Sequence, residues 1–245
     1  MKLAALVLVA LALTGCESNQ ERSAKLEKAA KRGEHESELH AQAAQKALSI
    51  THVSTRVKVI AATVLYDSEG AAAVLTLRNT SSSTLRDVPI QIAVRDAAGA
   101  STYTNATPGL SPSLVSVSLL PAHGVLTWID DQVQSTAAPA SVSAKIGEAS
   151  PATGTVPTLT LQGAHLAEGS ATGAGAEGAV VNHSGVSQQE LIVYAVARRA
   201  GRIVAAGRAV LAQAPSGSST PFQIFLVGDP RGATLEVTAP ATTLG

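Results

Sequence analysis

The sequence predicts an all-β protein: two tandem immunoglobulin-like β-sandwiches, preceded by a short leader and a charged tether that is helical or flexible. Three observations predict it. From about Val53 onward the apolar residues alternate in short β-branched runs separated by turn clusters. That pattern of turns and strands recurs about 100 residues later. A stretch of quite different, helix-favouring composition stands before both copies.

The chain opens Met1-Lys2 and then runs apolar from Leu3 to Leu13. A bilayer span needs roughly 20 apolar residues, so this run is too short to cross a membrane. One positive charge followed by a short apolar run is the pattern of a secretion signal. The run ends Leu13-Thr14-Gly15-Cys16, which resembles the bacterial lipobox. That resemblance implies cleavage between Gly15 and Cys16, with residues 1–15 removed and a diacylglycerol carried on the Cys16 thiol. It places the mature protein on the extracytoplasmic side of a membrane, inner or outer. Two acyl chains hold firmly, at about 0.8 kcal/mol per buried methylene. Cys16 is the single cysteine, so the mature chain has no internal disulfide and must stand on packing.

Residues 16–50 hold the lipidated cysteine and the tether. Residues 17–48 carry six acids and six bases, with Ala, Glu, Lys and Gln dominant and Leu26, Leu39 and Leu48 the only large apolar residues. That excludes a continuous heptad seam. The expected state is a solvated helix or partly helical tether broken near Gly33, about 45–50 Å long if fully helical at 1.5 Å per residue.

The first sandwich is expected over 51–150. Val53–Leu65, Ala71–Arg78, Val88–Arg95, Leu114–Leu119, Val125–Asp130 and Ser141–Ile146 read as strands, with loops at 104–113, 121–124 and 147–155. The second is expected over 151–245. Asn79-Thr80-Ser81 leads to Val88, Ile90, Ile92 and Val94 and then a turn at Gly99. Asn182-His183-Ser184 leads to Leu191, Val193, Ala195 and Ala197 and then a turn at Gly201. A Pro-containing loop follows in each copy, at Pro121 and at Pro215, and the closing strands Ala140–Ile146 and Gly232–Thr238 also correspond. Two copies of several short strands each point to a pair of sandwiches.

Val180-Val181-Asn182-His183-Ser184, Leu191-Ile192-Val193, the Gly201 hairpin and the Pro215–Gly217 loop before Phe222 resemble the FxLYD-type bacterial domain. The similarity covers about residues 155–240, with a weaker echo over 55–146. It implies an immunoglobulin-like, non-catalytic sandwich of exported proteins and lipoproteins. The Phe-x-Leu-Tyr-Asp string itself is replaced by Ala93-Val94-Arg95-Asp96 in one hairpin and Ala195-Val196-Ala197-Arg198 in the other.

The composition argues against several function classes. Lys plus Arg equals Asp plus Glu, 18 each, whereas a nucleic-acid binder should be strongly basic. Aromatic residues are too sparse to build a sugar-stacking platform. Gly173-Ala174-Gly175-Ala176-Glu177-Gly178 matches a dinucleotide fingerprint, but a strand is expected after it where the fingerprint needs a helix; it reads as a flexible loop. Glu36 and His40 sit four apart on the tether in an order that is not a zinc-protease motif. No Gly-x-Ser-x-Gly elbow is present, and His52, His123, His165 and His183 are scattered over turns and strand ends. Asp130 and Asp131 are adjacent and so point to opposite faces of a strand. Asn79-Thr80-Ser81 and Asn182-His183-Ser184 read as turn chemistry, Asn and Ser bonding the local backbone. The expectation is no enzyme, no cofactor and no metal.

One strand departs from the pattern of a half-exposed sheet. Leu191, Ile192, Val193 and Tyr194, continuing to Ala197, are apolar on both faces, although a sheet with one face in water should alternate. Either the outer face is covered, by the first sandwich, the end of the tether or a partner, or it is a surface that simply tolerates alanine. Arg198, Arg199, Arg202 and Arg208 cluster about the same hairpin, as a solvated hairpin tip or as a surface suited to an anionic lipid or acidic partner. The expected function is a membrane-anchored envelope lipoprotein whose two sandwiches bind or scaffold an unidentified envelope protein. The alternatives are a carrier or chaperone of lipid or other apolar cargo, and then an enzyme or metal-binding protein.

Overall fold

Alternation of small and β-branched residues gives fifteen strands and a single 3-10 turn, Pro112–Leu114, among the described residues. The computed structural model describes residues 47–68, 70–167 and 175–245. The leader, Gly15, Cys16, the tether to residue 46, Glu36, His40, Gly173 and Ala174 lie outside the described residues.

The first sandwich is built from β1 (Val57–Asp67), β2 (Gly70–Asn79), β3 (Leu85–Arg95), β4 (Ser101–Thr104), β5 (Ser116–Leu120), β6 (Val125–Asp130), β7 (Ser141–Ile146) and β8 (Ser150–Pro151). One sheet is β1-β2-β6; the other centres on β3, flanked by β5 and β4 along one edge and by β8 and β7 along the other. The second is built from β9 (Leu159–Ala167), β10 (Gly175–Asn182), β11 (Gln188–Arg199), β12 (Arg202–Ala214), β13 (Ser219–Phe225), β14 (Val227–Gly228) and β15 (Thr234–Thr238). Its sheets are β9-β10-β13 and β14-β12-β11-β15. All pairings are antiparallel, and the chain is an all-β sandwich protein as its sequence predicts.

The two copies share more than strand order. Asn79 and Asn182 are fully buried at the ends of β2 and β10. The Asn79 carboxamide donates to the carbonyls of Ser83, Leu120 and Pro121 and accepts from the amide and hydroxyl of Ser81. Asn182 donates to Val186 and Ala214 and accepts from both groups of Ser184. The two Asn-x-Ser triplets are thus turn chemistry, each tying the end of one sheet to the other. The third residue of β3 and of β11, Asp87 and Glu190, is unpaired in the ladder and adopts positive φ, 52° and 45°, while the register continues unshifted on either side.

Several local details differ from expectation. β1 begins at Val57 rather than Val53, which makes only an isolated bridge to Gly147. Leu114 belongs to the 3-10 turn, not to β5. The short β4 and β8 fall in or beside segments that read as loops. Residues 175–178, read as a flexible loop, are the start of β10. A Cβ on Gly178 would fall 2.8 Å from the Phe222 ring, so glycine there reflects a close crossing of strands rather than a phosphate cradle.

Candidate functional site

β11 is where the two copies meet. Its inner face puts Leu191, Val193, Ala195 and Ala197 into the core of the second sandwich. Its outer face puts Ile192, Tyr194 and Val196 into the apolar cluster of the first sandwich, together with Ala206 and Val227. The partners are on β2 and β6: Val74 and Ile129 pair in register, and Val74 alternates with the inward Leu75 and Leu77. Two sheets therefore stack back to back, within the one compact unit formed by Ala44–Gly245. Burying a side chain such as Ile192 or Val196 is worth about 1.5–3 kcal/mol.

A polar pin sits inside that apolar contact. Arg208, on β12 and in register with Tyr194, is 8% exposed. Its guanidinium Nε donates to Asp131 Oδ1 at 2.9 Å, and its backbone N–H donates to Asp131 Oδ2 at 3.1 Å. A second guanidinium nitrogen donates to Ser113 Oγ at 2.8 Å. One arginine of the second sandwich is thus held by two segments of the first, and the charge-assisted geometry fixes register as well as energy. Gly207 beside it is required by space, because a Cβ there would lie 2.0 Å from the Phe225 carbonyl oxygen. A further crossing bond runs from the Gly228 N–H to Asp67 Oδ2, 2.5 Å.

Next to the pin, Asp130 is fully buried and accepts from the Tyr103 hydroxyl at 2.9 Å and the Gln132 amide at 3.0 Å. Burial raises its pKa above the usual carboxylate value, opposed by those two hydrogen bonds and by Arg208. Burial, then the charge of Asp130, pushes the Tyr103 phenol up. Burial likewise pushes up Tyr194.

The segment that delivers Ser113 is itself a difference between the copies. In the second sandwich β12 runs unbroken from Ala206, opposite Val196, to Ala214, opposite Gln188. In the first, the same span leaves β4 at Thr104, opposite Ala93, and rejoins β3 through β5, ending at Leu120 opposite Leu85. The chain between is twice as long and bulges out as residues 105–115. Asn105 closes the gap in the ladder: its side chain accepts from the Ile92 amide and donates to the carbonyls of Ile90 and Leu114. The indole of Trp128 donates to the Ser113 carbonyl at 3.1 Å and fixes the loop.

Between this loop, β5, the start of β11 and the C-terminal segment lies a cleft of about 280 Å³. Ser116–Leu119 line one wall and Pro240–Thr243 another, with the buried Tyr194 and Ile192 deeper in and the exposed Val210, Asp87 and Glu190 also lining it. The C-terminal segment is held by Gln188, whose side chain bonds the backbone of Thr242 and Thr243. A second groove of about 380 Å³ shares Asp87, Ser118, Leu119, Thr242 and Thr243 with the first and extends it towards Ala152 and Leu244.

The residues singled out from the sequence part company here. Leu191, Ile192, Val193 and Tyr194, offered as a partner surface, are at most 5% exposed; both faces of their strand are used inside the chain. Arg208 is part of that internal contact and not of an exposed basic patch. Arg198 pairs with Glu236 at 2.9 Å, and Arg199 donates to the carbonyls of Asp229 and Arg231. Arg202 is exposed at the hairpin end. Asp229 is held down to about 2 by its hydrogen bonds with Arg231. The four histidines are all exposed; His183 bonds Thr160 and His165 bonds the Gly163 carbonyl. Among the described residues no three His, Cys, Asp or Glu side chains are grouped to hold a metal, and no helix is long and apolar enough to cross a membrane.

The role of Asp131 and Ser113 in holding Arg208, and the positive-φ residues Asp87 and Glu190, escape a reading by sequence pattern. A charged residue inside the small, apolar run Ala205-Ala206-Gly207-Arg208-Ala209-Val210 was the available signal that Arg208 needs an internal partner. No protein-family model matches the chain, and no curated protein matches it.

Proposed function

We propose that this chain is an exported lipoprotein, anchored by diacylglycerol on Cys16, whose two FxLYD-type sandwiches act as one non-catalytic module that binds or scaffolds another component of the cell envelope. The observation that carries the binding reading is the cleft between the copies, walled by both and next to the Arg208–Asp131 pin. Sites at the junction of two packed units are a common place for ligands. A junction closed by apolar packing and a charged pin keeps such a site in shape. The lipobox Leu13-Thr14-Gly15-Cys16 supports the anchor and the extracytoplasmic location. The shared Asn-x-Ser turn and the positive-φ acidic residue that follows it in each copy support reading both copies as one domain type.

The carrier reading draws less support, because the cleft of about 280 Å³ is small and lined by serines and threonines as well as apolar groups. Two experiments test the proposal. In detergent phase partition the native protein is expected in the detergent phase and a Cys16→Ala form in the aqueous phase; equal partition would remove the anchor. In-cell crosslinking is expected to capture a specific envelope protein with the anchored form. A turnover activity lost on a point substitution that leaves the fold intact would overturn the non-catalytic reading.

A further inference from the structure

The wall of the cleft formed by Ser116, Val117, Ser118 and Leu119 has an unusual property. These are four consecutive residues of one strand. A strand presents only alternate side chains to either face, so a cleft lined by all four faces the strand's edge. Among the described residues β5 is laddered on one side only, to β3. The opposite wall, Pro240–Thr243, is likewise a run of consecutive residues. An open strand edge is a template for pairing with another extended chain.

Two further features say what that chain carries. The cleft is lined by the carboxylates Asp87 and Glu190, one from each sandwich, and by no Lys, Arg or His; the adjoining groove adds one cation, Arg86. Asp87 shares its charge with exposed Arg86 at 3.0 Å; Glu190 has no cationic partner among the described residues. Deeper in, Tyr194 is 3% exposed and lines the cleft. Its hydroxyl makes no hydrogen bond among the described residues. An acceptor supplied from outside, such as a peptide carbonyl, would satisfy it.

We propose that the cleft binds an extended, lysine- or arginine-bearing peptide segment of another polypeptide, added as a strand along the free edge of β5, with Asp87 and Glu190 taking its cations and the Tyr194 hydroxyl one of its carbonyls. The two adjoining grooves, which share Ser118 and Leu119 of β5 together with Asp87, Thr242 and Thr243, give the site the elongated form a strand requires. This inference rests on the reading of the chain as a binding module and is independent of its lipid anchor.

The test uses the mature protein in detergent micelles and two capped heptapeptides, one alternating lysine with valine and one alternating glutamate with valine. Binding is read by calorimetry, and its location by hydrogen exchange. The lysine peptide is expected to slow exchange over residues 116–119 and to bind at least tenfold more tightly than the glutamate peptide. A double Asp87→Asn, Glu190→Gln variant, altered only at two exposed positions, is expected to lose about tenfold in affinity. Tyr194→Phe, which keeps the ring packing, is expected to lose about threefold. Unchanged thermal midpoints show that these variants fold. No slowing over 116–119, protection confined to another surface, equal binding of the two peptides, or an unaffected double variant would each overturn the proposal. A partner captured in cells while the peptides fail would remove this site alone and leave the binding-module reading in place.

Discussion

β3 and β11 are the same strand twice, and they differ on one face only. Both follow a buried asparagine, both carry an unpaired acidic residue at positive φ, and both send four apolar side chains inward. On the outer face β3 shows Pro89, Gln91 and Ala93, all half-buried, where β11 shows Ile192, Tyr194 and Val196, all buried. The same contrast recurs at β6 and β13, in the opposite sense. Asp130 and Ile224 hold equivalent places opposite Ala73 and Ala176, and both are fully buried. What the copies share makes a sandwich. Where they diverge, at the outer face of β11, Arg208, the loop 105–115 and the Asp130–Asp131 pair, they make the junction between sandwiches.

The widest predicted gap comes from placing one charge on each outer face. Val196→Asp buries an unpaired carboxylate in the junction and is expected to cost more than about 4 kcal/mol. Ala93→Asp, at the equivalent half-buried position, is expected to cost under about 1 kcal/mol. Chemical denaturation of the two variants measures the difference, and equal costs would break the comparison.

Cutting the pin comes next. Arg208→Ala leaves Asp131 without its cation and is expected to cost about 3–5 kcal/mol, somewhat less for the partial exposure of Asp131, 18%. The double change Arg208→Met with Asp131→Leu is expected to recover most of that loss, because an apolar pair of similar volume suits the surrounding packing. A double-mutant cycle with a coupling near zero would show that the pair is not a unit.

The shared features should respond alike. Asn79→Ala and Asn182→Ala each strand buried carbonyls and are expected to cost about 2–3 kcal/mol, equal in the two copies within about 0.5 kcal/mol. A clear inequality in thermal or denaturant unfolding would show that one turn has taken on a further task.

The smallest effect is a pH dependence that originates in the first sandwich. Asp130 has a raised native pKa, while an unfolded aspartate titrates near 3.9. Between those values the native state binds more protons than the unfolded state, so stability falls as pH rises through the window. Relative to the wild type, Asp130→Asn is therefore expected to gain stability as pH rises through that window and to hold the gain above it. A constant difference between the two proteins across acid pH would contradict this assignment.

Much of this was legible in the sequence, and the parts that were not share a cause. The inward residues of β3 and β11 alternate, and alternation is visible in one dimension. The doubly apolar β11 signalled that its outer face is covered, and the first sandwich proved to be the cover. Chain proximity grouped Arg208 with Arg198, Arg199 and Arg202, but a strand separates neighbours by face, and Arg208 turned inward. The loop 105–115 and Asn105 show themselves only when the register of β12 is set beside that of β4 and β5. β8 has two residues, too few to show a period, and at Asp87 and Glu190 the alternation of buried residues slips by one without a change of register.

The central claim is that β11 and Arg208 join the two sandwiches into one cooperative unit. Hydrogen exchange of the protein through a denaturant series, read separately over residues 85–95 and 188–199, tests it most directly. The account predicts that both strands lose protection in the same transition and with the same denaturant dependence. Opening of the second sandwich at clearly lower denaturant, with the first still protected, would contradict it.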